Sequence, residues 1–366
     1  MILKDKNVEV MFDEIYGPEV RVTNVQYSCR HIYWMIESRE RIELTPDFQR
    51  RQVWSNKQRS ELIESILLGI PIPVIYLFES QFGTWQVLDG LQRLSAITDF
   101  MSGRFRLNGL TVLAELNGFV YENLPRKLQG VIDDYNFVFY VIQPPTSEQV
   151  KYEIMRRVNK GGTALNNQEM REMLYSGKAT ALLDELRKTP DFMEASHFVN
   201  PRRKADSCLV LRCVAFNLLA RQGDAETNED LMGIWNFRGD INEMLARTMA
   251  YINQRAPEPI LAKCRKNFMS AMRNGRQIGG EDAFFFDSRK YGGRSLINFR
   301  LFEMLAAIYA DDIVLSKPDK ALNITQELKT YRGFTMLFRG SKADTHAAIM
   351  DRLGIVDRML KELHHD

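Results

Sequence analysis

The chain has 366 residues, 45% hydrophobic and 26% charged, with 49 Lys and Arg against 47 Asp and Glu. That is an ordinary globular composition, long enough for about two domains. The formal charge of +2 excludes a whole-protein polycation, so any basic surface for nucleic acid is local.

The four cysteines, Cys29, Cys208, Cys213 and Cys264, form no C-x-x-C pair and have no zinc spacing with the five histidines, so they read as reduced core thiols. Met1–Asp5 lacks the apolar run of a signal peptide, and no stretch of about 18 apolar residues occurs. The expected location is the cytoplasm, away from membranes.

In chain order, Val8–Phe12 and Asn24–Tyr27 read as short strands and His31–Arg39 as a helix. Ser55 is a good N-cap for a helix over Asn56–Leu68, with Leu62, Ile63, Ile66 and Leu67 on one face and Gly69 at its end. Pro71 and Pro73 block a helix and start an extended run, Val74–Phe78, which Gly83 turns into a second strand, Trp85–Leu88, so a hairpin is expected. A helix from Gly90 to about Met101 follows, and Phe137–Ile142 is a further strand. The texture changes at Gln143–Pro144–Pro145. Beyond it, Ser147–Val158, Asn166–Tyr175, Ala179–Lys188, Asp206–Ala220, Ile241–Asn253, Ile297–Tyr309 and the end from about Thr345 have helical spacing. The expected fold is α+β, with an α/β domain over 1–145 and a mostly α-helical domain over 146–366.

Four segments carry candidate chemistry. Asp89–Gly90–Leu91–Gln92–Arg93 lies where a strand gives way to a helix, a junction that exposes backbone N–H groups and partial positive charge to an anion. There Gly90 removes a side chain, Arg93 can fork onto phosphate oxygens, and Gln92 can orient water or read a base edge. Asp89 can hold Arg93 or bind Mg2+ through water. The same string also reads as a Gly turn beside a surface Arg–Asp pair. Pro46–Asp47–Phe48–Gln49–Arg50–Arg51–Gln52–Val53–Trp54 sets arginines and glutamines among aromatics, suited to phosphate or base contacts. In the third segment, Asn159, Lys160 and Gly161–Gly162 can form an anion nest. Asn166 with Glu169 there resembles a capping box, and Gln168 stays open between the two readings. Pro201–Arg202–Arg203–Lys204, with Arg289–Arg294, can track a nucleic-acid backbone or simply be solvated. Asp133–Asp134 reads as a solvated acidic pair. There is no P-loop, no G-x-G-x-x-G opening a helix and no H-E-x-x-H, and the residues suggest no metal site of their own.

Taken together, Pro-Asp-Phe-Gln-Arg…Trp-Ser, Leu-Ile-Glu-Ser-Ile-Leu-Leu-Gly-Ile-Pro-Ile-Pro, Val-Leu-Asp-Gly-Leu-Gln-Arg-Leu and Arg-Val-Asn-Lys-Gly-Gly…Leu-Asn-Asn-Gln-Glu resemble the N-terminal family of GmrSD-type modification-dependent restriction systems, most strongly over Leu44–Arg171. The resemblance implies a ParB/sulfiredoxin-like α/β domain followed by helices. It also implies nucleotide binding with NTP hydrolysis in antiphage defence, including the phosphorothioate-sensing type. The family's Asp-Gly-Gln-Gln-Arg signature falls on Asp89, Gly90, Gln92 and Arg93, with Leu91 in place of its first Gln, and the family's Gln-Arg pair falls on Gln49 and Arg50. Residues after about Ala310 lack the pattern of the HNH nuclease domain that many relatives carry.

The resulting expectation is an NTP-dependent regulatory component that uses an NTP and Mg2+ and acts with a nuclease in trans. Asp89, Gln92 and Arg93 would be catalytic. Gln49, Arg50, Gly90, Asn159 and Gln168 would bind nucleotide, and Arg202, Arg203 and Lys204 would bind DNA. The alternatives are a non-catalytic DNA-binding or adaptor protein and a ParB-like nuclease.

Overall fold

Runs rich in β-branched and aromatic residues build a five-stranded mixed sheet in the N-terminal part of the chain. The computed structural model describes residues 21–38, 41–44, 54–79, 83–146, 150–151, 154–155, 157, 166–220, 231, 234–286, 297–330 and 337–365. The strands are β1 (Arg21–Ser28), β2 (Ile42–Glu43), β3 (Ile75–Glu79), β4 (Trp85–Asp89) and β5 (Asn136–Gln143), in the order β1-β5-β3-β4-β2. β3 and β4 form the expected antiparallel hairpin, with a register shift at Tyr76/Leu77. β1 pairs antiparallel with β5, which in turn runs parallel to β3.

Helices α1 (Cys29–Glu37), α2 (Asn56–Leu67), α3 (Leu91–Met101) and α4 (Arg126–Asp134) accompany this sheet. Ile32, Ile63, Leu94, Ile97 and Phe100 from the helices share one buried cluster with Ile75, Leu77, Phe137 and Phe139 from the strands. Period-3.6 faces thus meet period-2 faces, the arrangement an α+β unit requires. Ser55 caps α2 as expected, and Gln58 completes a reciprocal capping box. Gly69 ends the helix at φ +69°.

The stretch between α3 and α4 is mostly irregular, yet it is pinned to α2. Ser60 Oγ accepts Asn108 N–H at 2.9 Å. Glu64 Oε1 accepts the N–H groups of Val112 and Leu113 at 2.9 and 2.8 Å. Ser60 and Glu64 are buried polar groups on a helix, and these bonds satisfy them. Asp133, expected to be solvated, instead accepts Arg30 Nη2 at 2.8 Å and Tyr121 Oη at 2.7 Å.

The chain divides into two units, Met1–Leu165 and Asn166–Asp366. The change of texture predicts a boundary at 145/146. The segment just beyond it keeps company with the sheet, because buried Lys151 lies over the Phe78 ring at 3.4 Å.

The second unit is helical: α5 (Asn167–Leu174), α6 (Lys178–Leu186), α7 (Pro190–Ala195), α8 (Ala205–Leu219), α9 (Ile241–Gln254), α10 (Glu258–Gly279), α11 (Phe299–Tyr309), α12 (Pro318–Thr330) and α13 (His346–His364). Its apolar core holds a charged cluster. Glu303 on α11, fully buried, accepts Arg212 of α8 and, at 3.0 Å, Arg352 of α13. Asp344 accepts Arg300 at 2.5 Å and Arg212 at 3.0 Å. Buried charges are tolerated when paired in this way, and removing one partner strands the others. Burial pushes the Cys29 thiol up to about 12, Cys264 to about 11 and Cys213 well above its ordinary value, so these core thiols are inert. Among the described residues no helix is long and apolar enough to cross a membrane.

Candidate functional site

Strand β4 ends at Asp89, Gly90 takes φ +99°, and α3 starts at Leu91. A Cβ on Gly90 would lie 2.8 Å from Ile75 Cγ1 and 3.2 Å from Arg93 Nη2. Glycine is therefore required twice, by the left-handed backbone and by the close approach of β3. Gly90 supplies no side-chain cap, so the first N–H groups of α3 have no side chain of the N-cap residue to receive them.

Arg93 turns inward. Its side chain is 11% exposed, and Nη2 donates to Asp89 Oδ2 at 2.6 Å. Nη1 donates to the carbonyls of Pro73 and, at 3.2 Å, Val74. Pro71 and Pro73 keep this stretch out of regular structure just before β3, and Arg93 collects the carbonyls that result. Of the two roles read for Asp89, holding Arg93 is the one seen. Both terminal nitrogens of the expected phosphate fork donate to protein acceptors.

Gln92 Oε1 accepts Trp54 N–H at 3.2 Å. This bond brings Trp54, the last residue of the Pro46–Trp54 segment, to the junction across 38 residues of chain. Gln49, Arg50 and Asn159 lie outside the described residues, as do Val8–Phe12 and Arg289–Arg294. The participants that sequence reading missed are backbone atoms, the Pro73 and Val74 carbonyls and the Trp54 amide. The Pro-x-Pro run was the available signal for the first two.

In the second unit, Gln168 is 3% exposed. Its Oε1 accepts Arg171 Nε and Nη2 at 3.0 and 2.9 Å, and its amide donates to Glu172. Asn166 and Glu169 form the expected capping box on α5. Arg203 Nη2 pairs with Glu169 at 3.1 Å and Lys204 Nζ with Glu172 at 2.9 Å, so these two cations are ion-paired on α5. Their backbones sit at φ +56° and +59°, a conformation that costs roughly 1 kcal/mol per residue. The bond from Asn166 Nδ2 to the Arg203 carbonyl at 2.6 Å helps hold it. Arg202 is exposed. Among the described residues, no group of His, Cys, Asp and Glu is arranged to hold a metal ion.

Residues 34–176 match the family model of the GmrSD restriction endonuclease N-terminal domain. This chain carries a GmrSD N-terminal domain. The matched span includes Trp54, Asp89–Arg93 and Gln168 but ends before Arg202. No curated protein and no solved structure matches the chain.

Proposed function

We propose that the GmrSD N-terminal domain of this chain binds the phosphates of a nucleoside triphosphate at the N-terminus of α3, as the regulatory component of a restriction system whose nuclease acts in trans. The observation that carries this reading is the junction itself: a glycine N-cap without a side-chain acceptor, with Gln92 in the first turn bonded to the Trp54 N–H. The partial positive charge of a helix N-terminus favours a phosphate there. The family match supports the setting.

Arg93 acts in this reading as a positioning residue that fixes the junction through Asp89. Gln92 and the backbone touch the ligand. Mg2+ enters as the counter-ion of the phosphates, since Asp89 already gives one oxygen to Arg93 and Mg2+ is commonly held by one carboxylate plus substrate phosphates. With Leu91 in place of the signature's first Gln, binding is better supported than turnover. Calorimetric titration of the full chain with ATP and GTP in Mg2+ tests the proposal. Saturable binding that weakens in Gln92→Glu is expected. If no triphosphate binds, or Gln92→Glu binds as tightly as the parent, the reading fails.

A second reading, a DNA-binding adaptor, draws on Pro201–Lys204. The residues His197, Phe198, Arg203 and Lys204 are all left-handed, Phe198 is 69% exposed, and Arg202, a little further along the chain, is exposed too. An exposed aromatic and an exposed arginine in one loop suit an unpaired base and its phosphate.

A further inference from the structure

We propose that Arg59, Arg104 and Arg106 form a phosphate pocket in the first unit that takes the backbone of a nucleic acid. The pocket, about 570 Å³ and open to solvent, lies between the first turn of α2 and the segment after α3. The three arginines line it together with Asn56, Asn108 and Gly118. Its volume falls within the range of ligand clefts.

Asp99 sets the fork. One carboxylate oxygen receives Arg59 Nη2 and the other receives Arg104 Nη1 at 3.2 Å, while Arg104 Nη2 reaches Glu37 at 3.2 Å. Two guanidinium groups thus take the two carboxylates, and Arg106 adds a third cation to the lining. Arg106 spends Nη1 on the Gly118 carbonyl at 3.0 Å and is otherwise exposed, so it keeps donors for a ligand. The walls are held in advance. Ser60 and Glu64 pin the segment at Asn108, Val112 and Leu113, so ordering costs on binding are small.

Phe105 is 6% exposed, and the Arg59 guanidinium already lies over its ring at 4.7 Å. Among the described residues that line the pocket, no other aromatic ring offers a face to a base. Cationic forks and amides without a base platform recognise phosphate and not sequence. The pocket thus holds a strand in register while some other part of the assembly reads it. It belongs to the first unit, whereas Arg202 belongs to the second, and it does not depend on the triphosphate reading.

The test is fluorescence anisotropy of labelled duplex DNA with the full chain across a salt series. Loss of one charged phosphate contact weakens binding about tenfold and makes the log–log salt slope shallower by about one. Arg106→Glu is expected to do both, Arg106→Lys to retain most of the affinity, and Lys178→Glu, the same charge change at the exposed first residue of α6, to do neither. Arg106 makes one surface bond, so an unchanged circular-dichroism melt is expected. The proposal is overturned if the full chain binds no DNA, or if Arg106→Glu keeps the parental affinity and slope. It is also overturned if that variant loses pyrophosphate or ATP binding while DNA binding stands, which would assign the pocket to a free polyphosphate.

Discussion

Replacing Arg93 with alanine separates a structural clamp from a ligand-binding arginine. The side chain is 11% exposed and bonds Asp89 at 2.6 Å, the Val74 carbonyl at 3.2 Å and the Pro73 carbonyl. Each bond from a charged donor contributes about 1.5–3 kcal/mol when buried. The three are not independent, and Asp89, 35% exposed, regains water when Arg93 leaves. Discounting for both, the expected loss is about 3 kcal/mol. For a unit of this size that lowers the midpoint by roughly 6–12 °C. Scanning calorimetry of the full chain measures it, and triphosphate binding is read on the same sample well below the transition. Arg93→Lys keeps the charge but cannot reach carboxylate and carbonyls together, so it should recover less than half of the loss. A variant that melts like the parent yet no longer binds triphosphate would refute the clamp and return Arg93 to the ligand.

Two further outcomes are expected. Gly90→Ala places a Cβ 2.8 Å from Ile75 Cγ1 at φ +99°. It should cost about 2–4 kcal/mol by chemical denaturation, and Ile75→Val in the same chain should recover none of it, because valine keeps both γ-carbons that the new Cβ meets. In the second unit, burial alone would raise the Asp344 carboxyl, but hydrogen bonds from Arg300 and the charges of Arg212 and Arg300 hold it at about 2, below the ordinary 3.8. A depressed folded value means that its contribution is present above about pH 4 and is lost as pH falls toward 2. Asp344→Asn should lower neutral-pH stability and flatten that acid limb. An acid limb identical to the parent's would count against the cluster.

Punctuation made the first unit legible. Ser55, Gly69, Pro71, Pro73, Gly83 and Gly90 are local devices whose effect is set within a few residues, so the capped helix, the hairpin and the strand-to-helix junction could be read directly. Helix α10, Glu258–Gly279, was not read. Its buried Leu261, Cys264, Phe268, Ala271 and Met272 are diluted by Lys and Arg that stay on the solvent side. Partner choice was equally hidden. Nothing near Arg93 in the chain says that carbonyls 19 and 20 residues earlier take its guanidinium. Arg203 and Lys204 read as loop cations because Glu169 and Glu172 are brought to them only by folding. The Asn166–Glu169 cap was foreseen, while the second use of Glu169 as an ion-pair partner was not.

The tethers from Ser60 and Glu64 give an irregular stretch the behaviour of a helix. Its amides at Asn108, Val112 and Leu113 are donors to side chains of α2, so they cannot open to solvent one at a time without stranding a buried hydroxyl or carboxylate. Helix and loop should open as one cooperative unit, and hydrogen exchange at those three amides should follow that of α2. A stretch without regular structure is thereby bound to the fate of a core element.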